Sequence, residues 1–148
     1  MADLANGFLQ MPGINGNAEM TGYEDWIVIK EMKFGVTQEG EWEEKSPKGK
    51  ITKFHNIVLM KPIDCASPRL SAACAHKDKF DTATVALVAS QDTYYKLELE
   101  KVLIRSVKRT LDAGNPVPCE IIELACQAYT ESYGTERAGY DLATQQKK

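Results

Sequence analysis

No stretch of this 148-residue chain approaches the roughly 20 consecutive apolar residues of a membrane helix, so it encodes no helical membrane span. The N-terminal MADLANGFLQMPGINGNAEM has neither a basic start nor an apolar run of about 7–15 residues, and no cleavable signal peptide is visible in it. A basic excess is missing too. With 18 Lys+Arg against 21 Asp+Glu the net charge is −3, which argues against the electropositive footprint that nucleic acid requires. The four cysteines, Cys65, Cys74, Cys119 and Cys126, lack the C-x-x-C spacing of a zinc site, and their apolar surroundings read as those of reduced, buried thiols. Catalysis lacks its parts. His55 and His76 are the only histidines, and Cys74 and His76 stand two apart in a helical stretch, on roughly opposite faces. Acidic residues are scattered singly, with no glycine-rich phosphate loop and no paired-histidine motif, so no catalytic, metal-ligating or cofactor-binding residue is assigned.

What is present is the composition of a packed domain: 43% hydrophobic and 26% charged residues need no metal or disulfide to hold a core. The clearest pattern lies at 23–38, YEDWIVIKEMKFGVTQ, where Trp26, Val28, Met32, Phe34 and Val36 share one parity and predict a strand with that set buried. Ile27 and Ile29 make the first half apolar on both faces, whereas Glu31, Lys33 and Thr37 make the second half polar on one. The segment 7–13 reads as a first strand. EGEWEEKSPKGK after Gln38 reads as a long hairpin loop before the strand at 51–63. TATVALVAS (82–90) and YYKLELEKVLIRSVKRT (94–110) read as adjacent antiparallel strands, with a bulge near Glu100–Lys101 where the apolar parity changes from Leu97 and Leu99 to Val102 and Ile104.

One helix is signalled over about 68–77, with Ser67 as N-cap, Pro68 at the first helical position and a stripe of Leu70, Ala73 and Cys74. The segment 119–133 satisfies both helical and strand spacing, and residues 134–148 read as a polar C-terminal tail.

Taken in order, GFLQMPGINGNA, DWIVIKEMKFGVTQ, a charged loop, ASPRLSAACA, then TATVALVA with YYKLELEKVLIRSVKR resemble the Hcp family, the haemolysin-coregulated tube proteins of the type VI secretion system. The resemblance covers residues 7–133. It implies a mainly β fold, a compact β-barrel of two packed antiparallel sheets with one short flanking helix, occupying residues 1–133, and it makes 119–133 a strand. It further implies a homohexameric ring, rings stacked into a hollow tube, a spike protein at the tip, a contractile sheath and small effector proteins in the lumen. Such a subunit is cytoplasmic before firing and is then secreted without a cleavable signal peptide, with no nucleic acid partner, no membrane insertion, no cofactor and no enzymatic role. Within this frame Glu31 and Lys33 face lumen and cargo, or else plain solvent. Trp42, Glu43, Glu44, Lys45 and Lys48 form a ring-to-ring contact loop, or else a solvated hairpin tip. A phage tail-tube-like protein and a small ligand-binding β-barrel are the alternatives.

Overall fold

The structure is a computed structural model that describes residues 6–39, 51–89, 92–111, 114, 117–142, 144 and 146–147. Its strands are β1 (Asn6–Gln10), β2 (Ile27–Ile29), β3 (Glu31–Lys33), β4 (Val36–Glu39), β5 (Ile51–Phe54), β6 (Ile57–Pro62), β7 (Lys79–Ala89), β8 (Asp92–Thr110), β9 (Cys119–Ala125), β10 (Ala128–Tyr133), β11 (Glu136–Asp141) and β12 (Gln146–Lys147), with α1 (Ser67–His76) between β6 and β7. All pairings are antiparallel. One ten-stranded sheet runs β12-β11-β10-β8-β7-β1-β2, with a second leaf β8-β9-β6-β3, and β4 with β5 makes a separate two-stranded sheet.

The long β8 joins the two leaves because its halves pair differently: Glu100 faces Ala128 of β10, and Leu103 faces Ala125 of β9. On the other side the leaves meet through the chain itself, at an exposed bend at Lys30 between β2 and β3. The result is two packed antiparallel layers with a flanking helix rather than a continuously hydrogen-bonded barrel.

That bend also corrects the reading of 23–38 as one strand with a single buried parity. The stretch divides into β2, β3 and β4, each with a different partner. In β2 the opposite parity enters the main core, Ile27 at 0% and Ile29 at 3% exposure. Trp26 and Val28 instead pack on a second, smaller cluster with Phe8, Ala18, Ala86 and Val88. Past Lys30 the parity inverts: Met32 and Phe34 pack on the main core while Val36 is exposed. Close approach makes this possible. A Cβ at Gly16 would lie 2.5 Å from Ile27 Cα, so only glycine lets the 14–18 loop cross β2 at this distance.

The main core is filled by alternate residues of both leaves, among them Leu9, Ile57, Leu59, Val85, Leu97, Leu99, Ile122 and Leu124, with Leu70 and Ala73 of α1 closing one side. The parity change in β8 falls where it was expected, with Lys101 in the left-handed region at φ 56. The pairing register with β7 is kept across it, however, Thr82 facing Glu100 and Phe80 facing Val102. The irregularities lie instead at Leu87/Val88 and Ile104/Ser106. β7 shows why. Its own parity changes between Phe80 and Ala83, so both strands switch faces together.

Ser67 is the first residue of α1, preceded by Ala66 at the cap, and its hydroxyl points inward rather than capping the helix. The helix ends at Lys77 in the left-handed region, φ 58, with the Asp78 amide donating to Ala73 O. Residues 119–133 are strands, broken at Cys126–Gln127. The stretch read as a polar tail continues the sheet through a turn at Gly134: β11 pairs with β10 from Tyr133–Glu136 to Ala128–Asp141, and β12 pairs with its end. A polar alternation is what a strand covered on one face needs, and Gly139 to Leu142 are half-buried.

Candidate functional site

β3 presents Glu31 and Lys33 outward on either side of Met32, which packs inward. Cross-strand register extends these two positions into rows: Glu31 faces Met60, then Ile121, then Lys108, while Lys33 faces Val58, then Glu123, then Ser106. Residues directly opposite in antiparallel strands share a face. The outer side of this leaf therefore carries an apolar strip of Val58, Met60 and Ile121, the last 42% exposed, bordered by charges of both signs. It is a broad face suited to contact with another protein surface rather than to holding a small substrate.

The second expected surface, Trp42, Glu43, Glu44, Lys45 and Lys48, lies outside the described residues. Its root is described. β4 and β5 pair from Val36–Phe54 to Glu39–Ile51. Phe34 and Phe54 both meet the Tyr129 ring edge-on, at centroid separations of 5.1 and 5.0 Å, and Phe54 meets Tyr140 at 6.2 Å. This aromatic clasp fixes the hairpin to β10 and β11.

A third feature went unforeseen. Lys61 and Glu120 sit on the buried parities of β6 and β9, facing one another, and are 0% and 1% exposed. Lys61 Nζ donates to Glu120 Oε1 at 2.5 Å, Pro62 O at 2.8 Å, Asp64 Oδ1 at 2.9 Å and Ser67 Oγ at 3.4 Å. Ser67 Oγ donates to Glu120 Oε1 at 2.7 Å and accepts from the Asp64 amide at 3.0 Å. Arg109 comes from the rim: its Nη2 donates to Ser67 O, and its Nε lies 2.7 Å from Glu120 Oε2 in a charge contact without hydrogen-bond alignment. Two cations and two anions balance there, tying β6, β8, β9 and the start of α1 together. The signal was in the sequence: opposite charges at the ends of two alternating apolar runs, Ile57-Leu59-Lys61 and Glu120-Ile122-Leu124.

Nucleophilic chemistry finds no support among the described residues. All four cysteines are free; Cys65 is exposed and the others are half-buried rather than enclosed, because they sit at strand ends and at the edge of α1. Burial pushes the Cys126 thiol up to about 11, against a lowering by the Ala128 backbone, so at neutral pH it is a thiol and not a thiolate. Burial, reinforced by Glu131 and Tyr129, pushes Tyr95 up to about 12. Among the described residues no three of His, Cys, Asp and Glu converge as metal ligands, and no helix is long and apolar enough to cross a membrane.

Comparison with known proteins agrees with this picture. In fold the chain is similar to a type six secretion system protein (TM-score 0.90, 18% identity, covering 98% of this chain and 100% of that one). It is also similar to Hcp1 of Salmonella typhimurium (TM-score 0.86, 23% identity, 100% of both chains). A type VI secretion system effector from Yersinia pestis matches at a TM-score of 0.78, 19% identity, and 91% and 98% coverage. Among curated proteins, the actin cytoskeleton-regulatory complex protein END3 of Yarrowia lipolytica is 28% identical over 119 residues, 80% of this chain. The chain spans only 25% of that protein's length, too little to carry its role across. The family model described as "Type VI secretion system effector, Hcp" matches residues 8–133. The chain thus belongs to the Hcp family, the tube and effector proteins of the type VI secretion system.

Proposed function

We propose that this chain is a tube subunit that closes into six-membered rings, and that the rings stack into a hollow tube driven out by a contractile sheath behind a spike protein. The family match over residues 8–133 carries the reading. A closed ring needs one patch to bind a different patch on the next copy, and the outer face of β3-β6-β9-β8, apolar at its centre and charged at its border, has the composition of such a surface or of a lumen wall. In this reading residues 1–133, with β11 and β12 extending their sheet, form the ring domain, and Glu31 and Lys33 meet small effector proteins carried in the lumen. The loop holding Trp42, Glu43, Glu44, Lys45 and Lys48 makes ring-to-ring contact from its aromatic-anchored root. The subunit waits in the cytoplasm and leaves with the tube. The test is solution mass by light scattering over a concentration series. Six copies of 16.5 kDa, about 99 kDa, are expected. A monomer at high concentration overturns the ring.

A further inference from the structure

Where β8 exchanges β10 for β9, the outer surface sinks into a groove of about 590 Å³. The exchange leaves Cys126 and Gln127 between strands, the Gln127 amide donating to Glu100 O at 3.0 Å. Around this step stand Lys79, Lys101 and Arg105, with Asp81 the single acid, and half-buried Leu103 and Ala125, paired across β8 and β9 on the outer face, supply apolar wall. Lys101 holds a left-handed backbone, φ 56, uncommon for a lysine, and its contact with Asp81 is long, 3.5 Å, and open to water. The exposed side chains of Lys79 and Arg105 have no ion-pair partner among the described residues.

A cationic rim around an apolar groove fits an acidic peptide with a large apolar anchor, and the chain carries one. Residues 39–44, EGEWEE, hold Glu39, Glu41, Glu43 and Glu44 around Trp42 with no cation among them. Two other grooves suit this peptide poorly. One near Trp26 is rimmed by Glu24 and Asp25, and one at the β10–β11 turn by Glu131 and Glu136 against a single Arg137. We propose that the groove bounded by Lys79, Lys101 and Arg105 receives the acidic, tryptophan-bearing stretch 39–44 of a second copy of this chain, Trp42 packing against Leu103 and Ala125. The proposal rests on the ring-and-tube reading and adds to it the receptor for the loop. Desolvated tryptophan supplies attachment, and the opposed charges set orientation and exclude like-charged contacts.

The test places a photo-crosslinking phenylalanine analogue at position 42 in the full-length chain, mixes it with isotope-labelled unmodified chain, and maps crosslinked peptides by mass spectrometry. Solution mass is measured on the same sample. Links from position 42 to residues 79–81, 101–105 or 125–127 of the labelled copy are expected. Lys79→Glu with Arg105→Glu should lower their yield by about tenfold, since two exposed charge pairs turn from attraction to repulsion. Glu43→Lys with Glu44→Lys on the donor copy should restore much of it. A particle near six copies whose position 42 links elsewhere, links only within its own chain or does not link at all overturns the groove and leaves the ring standing. A monomer without links overturns both.

Discussion

Removing the Lys61 side chain tests what holds the second leaf to the rest. In Lys61→Ala the ammonium that donates to Glu120, Asp64, Ser67 and Pro62 disappears. The carboxylates of Glu120 and Asp64 remain, with side chains 0% and 7% exposed. Glu120 keeps Ser67 Oγ and the misaligned Arg109, which compensate only in part. Breaking a buried pair from one side costs about 3–5 kcal/mol, because the survivor is left desolvated without its counter-charge. At a urea slope of about 2 kcal/mol/M, the unfolding midpoint should fall by about 1.5–2.5 M. Protein concentration must be fixed throughout, since self-association adds to apparent stability. The double variant Lys61→Met/Glu120→Met removes both charges while keeping volume, and should recover at least half the loss. A single-variant cost under about 1 kcal/mol, or a double variant as unstable as Lys61→Ala, would refute the claim that the pair is tightly coupled and desolvated.

Arg109→Ala, at the 36% exposed rim of the same cluster, should cost only about 1 kcal/mol in the same assay, because water can reach the vacated position. Phe54→Ala removes the ring contacts to Tyr129 and Tyr140 and should lower stability by about 2 kcal/mol; an unchanged melting curve would show that the clasp does not anchor the hairpin. Lys33→Glu should leave the unfolding free energy within about 0.5 kcal/mol of the parent while reducing effector retention by assembled rings, and unchanged retention would remove Lys33 from the lumen wall. Cys126 and Tyr95 are raised in the folded state, so the neutral forms are favoured there and their contribution is complete below the ordinary values of 9.0 and 10.0. Stability should then decline as pH rises through about 11 for the thiol and about 12 for the phenol. Tyrosinate absorbance followed alongside unfolding across that alkaline range checks the sign.

The strands around the long loops were legible because alternation survives wherever a strand keeps one partner and one buried face. β7 and β8 were read as adjacent antiparallel strands for this reason, and the parity change beside Lys101 is real, although the bulge expected there is not: the irregularities lie at Leu87/Val88 and Ile104/Ser106. The same rule failed over 23–38: at Lys30 the chain passes from one leaf to the other, so the buried side inverts, and no local pattern distinguishes that from a polar interruption in a straight strand. The C-terminal strands were missed because their polar alternation resembles a solvated tail until β10 supplies the pairing edge. Ser67 illustrates a different limit. Ser-Pro before a helix has the sequence of a cap, yet a buried carboxylate 53 residues away takes the hydroxyl. For the surfaces, Glu31 and Lys33 were read as outward from parity alone, and they are; what the outward face meets depends on other copies, which a single chain's periodicity does not encode.

The ion cluster and the two partner changes bear on one another. The leaf β3-β6-β9 is joined to the remaining sheet at the Lys30 bend and along the C-terminal half of β8, and the Lys61–Glu120 pair lies beside both joints and against the start of α1, one residue past Met60, whose carbonyl accepts from the Lys30 amide at 2.7 Å. Apolar packing alone would hold the leaf against the core without fixing how far it slides, since Leu59 opposite Ile122 is close in volume to Ile57 opposite Leu124. A register shift of one residue would carry Lys61 and Glu120 to opposite faces and leave one of them buried without its counter-charge, so the pair penalises such a slip. That selectivity matters most for a face whose charged border, Glu31, Lys33, Lys108 and Glu123, is assembled from three strands and is complementary to another surface only in the correct register.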